Sequence, residues 1–137
     1  MRLSKSELKL LQKAGYSKKI IGLYGNLINF GFIENPDIAL DYKGECGDIL
    51  KFYLRINENN VIEDARFQYV GCPALAASAS ILTEVVKNKS LEEAKKITED
   101  DVLQELDGLP DSECHCAELA VITLHRTIAK YEAKKHS

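Results

Sequence analysis

The sequence contains no long apolar run and no excess of positive charge. Its apolar stretches are broken by Ser, Thr or a charged residue well before the roughly 18 residues that a membrane-spanning helix needs. No apolar core of the signal-peptide type follows the first residues, so we expect a cytoplasmic protein. The net charge is −3, and Lys and Arg are interleaved with Asp and Glu, which disfavours binding to nucleic acid.

The chain also lacks internal repeats, low-complexity segments and linkers rich in Pro or Ser. Its 137 residues suffice for one domain with a real core and are too few for two ordinary domains. Hydrophobic residues make up 45% of the chain and charged residues 28%, a balance typical of folded proteins. We therefore expect an N-terminal helical extension over residues 1–15, a candidate for mobility, and a single domain over residues 16–137.

The hydrophobic pattern predicts a small sheet in the first half of the chain. From residue 38 the apolar residues alternate with polar ones, and the same alternation returns over 49–56 and 61–70. Turn-forming residues separate the last two segments, which predicts an antiparallel meander of three strands. One face of each strand is apolar and the other polar, so helices are needed on a single face. The expected fold class is α+β.

The remaining segments have helical patterns. Residues 73–86 are rich in Ala and Ser, and such small side chains allow a helix to lie close to the sheet. The last helix is predicted to start at Asp111 or Ser112 and to run to about Lys134, with one apolar stripe along it.

The four cysteines are placed where predicted elements begin or end. Without a predicted export signal they argue against a disulfide framework. Cys46 lies in a Gly-rich break, Cys72 ends the third strand, and Cys116 lies in the first turn of the last helix. Thiols at such places can project toward a shared centre, although free cysteines also serve as small buried hydrophobic residues.

Cys46 and Asp48 are two residues apart, a spacing that points both side chains the same way in an extended segment. A thiolate and a carboxylate placed in this way can bind one metal ion. Gly44 and Gly47 flank them and permit close approaches. The competing interpretation is a Gly-rich turn with an incidental Cys and a solvated Asp.

Cys72 and Cys116 both lie at predicted helix N-termini, where the helix dipole favours a thiolate. His115 is adjacent to Cys116, and neighbours on a helix diverge by roughly 100°, so His115 is a secondary ligand candidate. It can replace Asp48 as fourth ligand, carry a proton, or simply face water. Cys114 is predicted to point away from Cys116. Mostly thiolate ligands favour zinc or iron–sulfur chemistry without choosing between them.

Several motifs occur in an order that is far more specific than any one of them. They are Gly44-Glu45-Cys46-Gly47-Asp48, Ile62-Glu63-Asp64-Ala65-Arg66-Phe67, Gly71-Cys72 with the Ala/Ser-rich helix, and His115-Cys116. With these motifs in this order, the chain resembles the U-type iron–sulfur cluster assembly scaffold family, which comprises IscU and the NifU N-terminal domain. The resemblance runs from about Tyr16 to Tyr131.

The resemblance implies a scaffold and carrier, not a turnover enzyme. A transient 2Fe-2S cluster would be bound by Cys46, Cys72 and Cys116, with Asp48 or His115 completing the site, and zinc could occupy the cluster-free form. Sulfur would come as a persulfide from a cysteine desulfurase, with Cys116 as acceptor. The cluster would then pass to apo-proteins.

One segment departs from the family pattern. The chaperone-recognition segment, commonly Leu-Pro-Pro-Val-Lys, reads Leu109-Pro110-Asp111-Ser112-Glu113 here, so the resemblance does not extend to recognition by an Hsp70-type chaperone. The iron donor, the electron donor and the acceptor proteins stay open, as does a homodimer or cluster-bridged oligomer.

Two other functions remain as alternatives. The same ligands would bind zinc tetrahedrally in a SufU-like sulfurtransferase that accepts persulfide sulfur at Cys116 without building a cluster. A structural zinc module that mediates protein contacts is the simplest alternative.

Overall fold

The computed structural model describes residues 3–45 and 47–136. The helices are α1 (Lys5–Lys13), α2 (Lys18–Gly25), α3 (Pro73–Val86), α4 (Leu91–Lys95), α5 (Glu99–Glu105) and α6 (Cys114–Lys135), and the strands are β1 (Ile38–Lys43), β2 (Ile49–Ile56) and β3 (Ile62–Val70). A 3₁₀ turn, Asp111–Glu113, precedes α6. None of the helices in the described ranges has the length and apolar character required of a bilayer-spanning segment.

The three strands form one antiparallel sheet in the order β1-β2-β3. Leu40, Phe52 and Phe67 are register partners across it, and both phenylalanines are buried. Along β2 the buried residues are the alternate ones predicted from the sequence, Leu50, Phe52, Leu54 and Ile56. The expected α+β meander is therefore confirmed.

Helices α3 and α6 cover the apolar face of the sheet. Helix α3 packs on β3, α6 packs on β1 and β2, and the two helices also pack against each other. Residues 74–80, the Ala/Ser-rich part of α3, are fully buried, as their small side chains predict. Their buried hydroxyl groups are hydrogen-bonded: Ser78 Oγ donates to Ala74 O at 2.7 Å and Ser80 Oγ donates to Ile28 O at 2.8 Å. This arrangement brings the N-termini of α3 and α6 to the same end of the domain.

The open edge of β3 is partly covered by the segment of residues 29–31. Phe67 N donates to Asn29 O at 3.0 Å, and Gly31 N donates to Phe67 O at 2.8 Å. Asn29 and Gly31 have φ values of 65° and 134°, so the segment cannot continue as a regular strand. It makes one parallel bridge and shields an edge that would otherwise expose unpaired backbone groups.

The last helix begins later than predicted. Asp111–Glu113 form a 3₁₀ turn, in which Glu113 N donates to Pro110 O at 2.8 Å, and the regular helix starts at Cys114. The backbone of Pro110 is not helical, with φ of −53° and ψ of 140°, so the helix does not extend back beyond the 3₁₀ turn. As a result, Cys116 remains in the first turn of α6, as the sequence predicts.

Phe52→Ala tests whether the face of the sheet that carries Phe52 is the one packed in the core. Phe52 is 1% exposed, and emptying its place should lower the free energy of unfolding by about 3–5 kcal/mol. Tyr53→Ala is the matched control on the opposite face of β2, and it should cost less than about 1 kcal/mol. Urea denaturation measures both, and equal losses would contradict this packing.

Candidate metal centre

A tight turn between β1 and β2 positions Asp48. Gly44 N donates to Asp48 O at 2.8 Å, and Gly47 N donates to Gly44 O at 3.1 Å. Gly47 has φ of +86°, a value that favours glycine. A Cβ on Gly44 would lie 3.2 Å from Leu119 Cδ2, so the turn lies close against α6. The turn thus sets Asp48 immediately before β2, beside the first turns of α6.

Cys72 lies between the end of β3 and the start of α3, as the N-cap residue of that helix. The residue before it has no room for a side chain. A Cβ on Gly71 would lie 2.8 Å from Cδ2 of the buried Leu75 and 3.2 Å from Asp48 Cγ. Glycine at this position therefore allows the Asp48 carboxylate to approach the N-terminus of α3.

Asp48, Cys72 and Cys116 converge on one point. Their ligand atoms, one carboxylate oxygen and two Sγ atoms, all lie within 4.8 Å of one another. The two Sγ atoms are 3.4 Å apart. Ligands around one tetrahedral zinc ion would be separated by roughly 3.3–3.8 Å, given ordinary Zn–S and Zn–O lengths. Small movements would therefore bring all three donors onto a single ion.

The other candidates are placed less directly. His115 is exposed, and its Nε2 lies 3.6 Å from Cys116 Sγ, next to the three converging groups but outside them. Cys114 Sγ lies 3.8 Å from Pro110 O and 4.0 Å from Leu109 O, so this thiol is directed back toward the preceding turn. Cys46 lies outside the described residues.

A groove of about 290 Å³ opens beside Asp48 and His115. It is lined by Tyr42, Gly44, Glu45, Asp48, His115, Glu118, Leu119 and Ile122. Asp48 and Cys72 are half-buried whereas Cys116 is fully buried. A ligand or partner side chain that enters along this groove reaches the carboxylate side of the centre.

Comparison with known proteins decides the family. Residues 15–137 match the family described as NifU-like N terminal domain. The chain belongs to this NifU-like family. It is 40% identical over 126 residues to the protein of Escherichia coli strain K12 named iron-sulfur cluster assembly scaffold protein IscU, covering 89% of this chain and 98% of that one. It is 41% identical over 120 residues to scaffold protein IscU 1 of Archaeoglobus fulgidus, covering 87% and 78% of the two chains.

Solved structures share the NifU-like fold at lower identity. The N-terminal part of a NifU-like protein from Brucella abortus superimposes with a TM-score of 0.73 at 18% identity, covering 86% of this chain and 94% of that one. A protein from Fervidobacterium islandicum, described as a scaffold protein for the SUF system, gives a TM-score of 0.69 at 21% identity, covering 82% and 96%. These two likenesses concern the fold alone.

The two thiols of this NifU-like site differ in acidity because they share one hydrogen bond. A hydrogen bond from Cys116, supported by the N–H groups of Leu75 and Ala74 at the start of α3, lowers the pKa of Cys72 to about 6. The same hydrogen bond, together with burial, raises the pKa of Cys116. The shared hydrogen bond therefore favours the thiolate form of Cys72 and the protonated form of Cys116.

Two further residues adjoin the centre, and the sequence patterns do not identify them as part of it. Glu113 raises the pKa of both thiols through its charge. Its Oε2 atom is buried and has no hydrogen-bond partner among the described residues. Tyr16 is hydrogen-bonded to the Glu113 side chain, and burial followed by this contact raises the pKa of Tyr16. In the sequence Glu113 stands out only as a departure from the family pattern, and its adjacency to His115-Cys116 is the one signal that could have placed it at the centre.

The acidity of Cys72 can be measured in the metal-free protein. Its alkylation rate, followed by peptide mass spectrometry, should rise with pH through a midpoint of about 6, since the thiolate forms above that pH and is lost below it. Cys116→Ala removes the hydrogen-bond donor and should move the midpoint upward. Cys116→Ser keeps a donor and should leave the midpoint low. A midpoint that is the same in all three proteins would contradict the shared hydrogen bond.

Proposed function

We propose that this protein is a scaffold on which an iron–sulfur cluster is assembled and from which the cluster passes to acceptor proteins. The observation that carries the proposal is the convergence of Asp48, Cys72 and Cys116 within 4.8 Å beside an open groove. Membership of the NifU-like family and 40% identity to a named IscU scaffold support it. The cargo is a 2Fe-2S cluster, and the scaffold domain comprises residues 16–137.

The proposed ligands combine soft and hard donors. Cys72 and Cys116 supply two thiolates, Cys46 supplies a third, and Asp48 completes the site, with His115 as the alternative fourth ligand. Thiolates suit iron–sulfur clusters, whereas a carboxylate is a harder and weaker ligand for them. A site with one weak ligand can both hold a cluster and release it.

Sulfur is proposed to arrive as the persulfide of a cysteine desulfurase. The Cys116 thiolate attacks the terminal sulfur, so that a new S–S bond forms, the S–S bond of the donor breaks and the desulfurase thiolate leaves. Reduction of the transferred sulfur to sulfide takes two electrons from an external electron donor. The partners of the scaffold are therefore the desulfurase, the electron and iron donors, and the apo-proteins that receive the cluster.

The acidity of the two thiols suggests an order for these events. In this order of events the buried Cys116 thiol first donates its hydrogen bond to the sulfur of Cys72, 3.4 Å away, which is the direction that the pKa shifts of the two thiols favour. When Cys72 binds a divalent cation, its sulfur accepts this hydrogen bond less well, and Cys116 loses its proton more readily. We therefore place metal binding at Cys72 before sulfur acceptance at Cys116.

A zinc-binding persulfide acceptor is the second candidate. The spacing of the three ligand atoms favours it, because that spacing also suits a tetrahedral zinc ion. In this function Cys116 would accept sulfur in the same way, but no cluster would be built.

Anaerobic reconstitution with ferrous iron, a desulfurase and cysteine tests the proposal. A scaffold develops visible sulfur-to-iron charge-transfer absorption and holds two irons and two sulfides per cluster. A zinc sulfurtransferase retains zinc and transfers sulfur without that absorption. Retained zinc without sulfur transfer would contradict both functions and leave only a structural zinc module.

Asp48→Ala should slow release of the assembled cluster. Loss of the weak carboxylate ligand leaves a site dominated by thiolates, so transfer to an apo-ferredoxin should be several-fold slower than in the wild type. Asp41→Ala removes an exposed carboxylate from β1 and is the matched control. Circular dichroism of the acceptor gives the transfer rate, and equal rates in all three proteins would refute the role of Asp48.

A further inference from the structure

Glu113 is a partly buried carboxylate, and one of its oxygen atoms has no hydrogen-bond partner among the described residues that surround it. It ends the 3₁₀ turn before α6, and its Oε2 atom has neither solvent exposure nor a hydrogen-bond partner within residues 3–45 and 47–136. The contact that the side chain does make is with the Tyr16 hydroxyl, a neutral group. A buried carboxylate oxygen without a partner is costly, and natural sites of this kind usually have a cation nearby.

No such cation is supplied by the described part of the chain. Its ion pairs between Lys or Arg and carboxylates involve Asp64, Glu84, Glu92 and Glu132, and neither Glu113 nor Asp48 takes part in any of them. Glu113 and Asp48 nevertheless both act electrostatically on Cys116. Two carboxylates therefore lie near the same pair of sulfur atoms in a half-buried region, and a divalent cation would relieve the repulsion between them.

We propose that Glu113 is an accessory carboxylate of the metal centre, which strengthens the binding of divalent cations by its charge without being a ligand itself. This inference rests on the proposed function, in that it takes Asp48, Cys72 and Cys116 as metal ligands. Glu113 is placed outside the ligand set because those three residues, and not Glu113, form the group of ligand atoms within 4.8 Å of one another. Its negative charge acts on the cation through the three ligands beside it and makes no bond to the cation.

Anaerobic titration with Co²⁺ tests the charge of Glu113 directly. Glu113→Gln keeps the shape of the side chain and should weaken Co²⁺ binding about tenfold, the scale typical of groups just beyond the ligands. Glu113→Asp keeps the charge and should retain most of the affinity. Asp111→Asn removes an exposed charge from the same 3₁₀ turn and should change the affinity by less than about threefold, because exposed charges are screened.

Two readouts separate this role from a structural one. Tyr16→Phe removes the hydrogen bond to Glu113 but leaves the charge, so its Co²⁺ affinity should match the wild type. The sulfur-to-cobalt charge-transfer band should have the same energy in Glu113→Gln and the wild type, because the ligands are unchanged. An equal loss of affinity in Tyr16→Phe and Glu113→Gln, or a displaced band in Glu113→Gln, would overturn the proposal.

The wild type distinguishes failure of this inference from failure of the proposed function. If the wild type binds no Co²⁺, the metal centre itself is refuted and the role of Glu113 with it. If the wild type binds Co²⁺ and Glu113→Gln binds it equally well, only the role of Glu113 is refuted. A thermal unfolding midpoint for each variant ensures that folded proteins are compared.

Discussion

The hydrogen bond between the Cys72 and Cys116 sulfur atoms, 3.4 Å long, is the contact on which the rest of the site depends. It exists because α3 and α6 pack against each other on one face of the sheet and so bring their first turns together. It also makes the two thiols unequal, since the donor is held protonated while the acceptor becomes more acidic. The packing of the core therefore brings the two sulfur atoms together and makes one thiol more acidic than the other.

The surroundings of this sulfur pair give the centre two different sides. Cys116 is buried against the core, whereas Asp48 and Cys72 are half-buried, and the groove opens on the Asp48 side. Gly71 makes this asymmetry geometrically feasible, because any side chain there would collide with Leu75 and crowd Asp48. The Asp48 carboxylate thus lies toward the solvent, whereas the Cys116 thiol lies toward the core. Such a site suits a cargo that must enter and leave.

Much of the fold could be predicted from local patterns. Apolar and polar residues alternate strictly along β2, and the small residues of α3 predict that this helix packs closely on the sheet. The bridge from Asn29 and Gly31 to Phe67 could not be predicted, because it joins distant residues through backbone atoms that have no side-chain pattern. The burial of the Glu113 Oε2 atom could not be predicted either, because it depends on the contact between the 3₁₀ turn and Tyr16, which is distant in sequence. The placement of Cys72 and Cys116 at helix starts was predictable, but the distance between them was not.

The central claim is that Asp48, Cys72 and Cys116 bind one metal ion together. X-ray absorption at the zinc edge of protein loaded with one equivalent of zinc tests it most directly. The account predicts a mixed shell, with at least two sulfur ligands at roughly 2.3 Å and an oxygen or nitrogen ligand at roughly 2.0–2.2 Å. A shell of oxygen and nitrogen alone would contradict it.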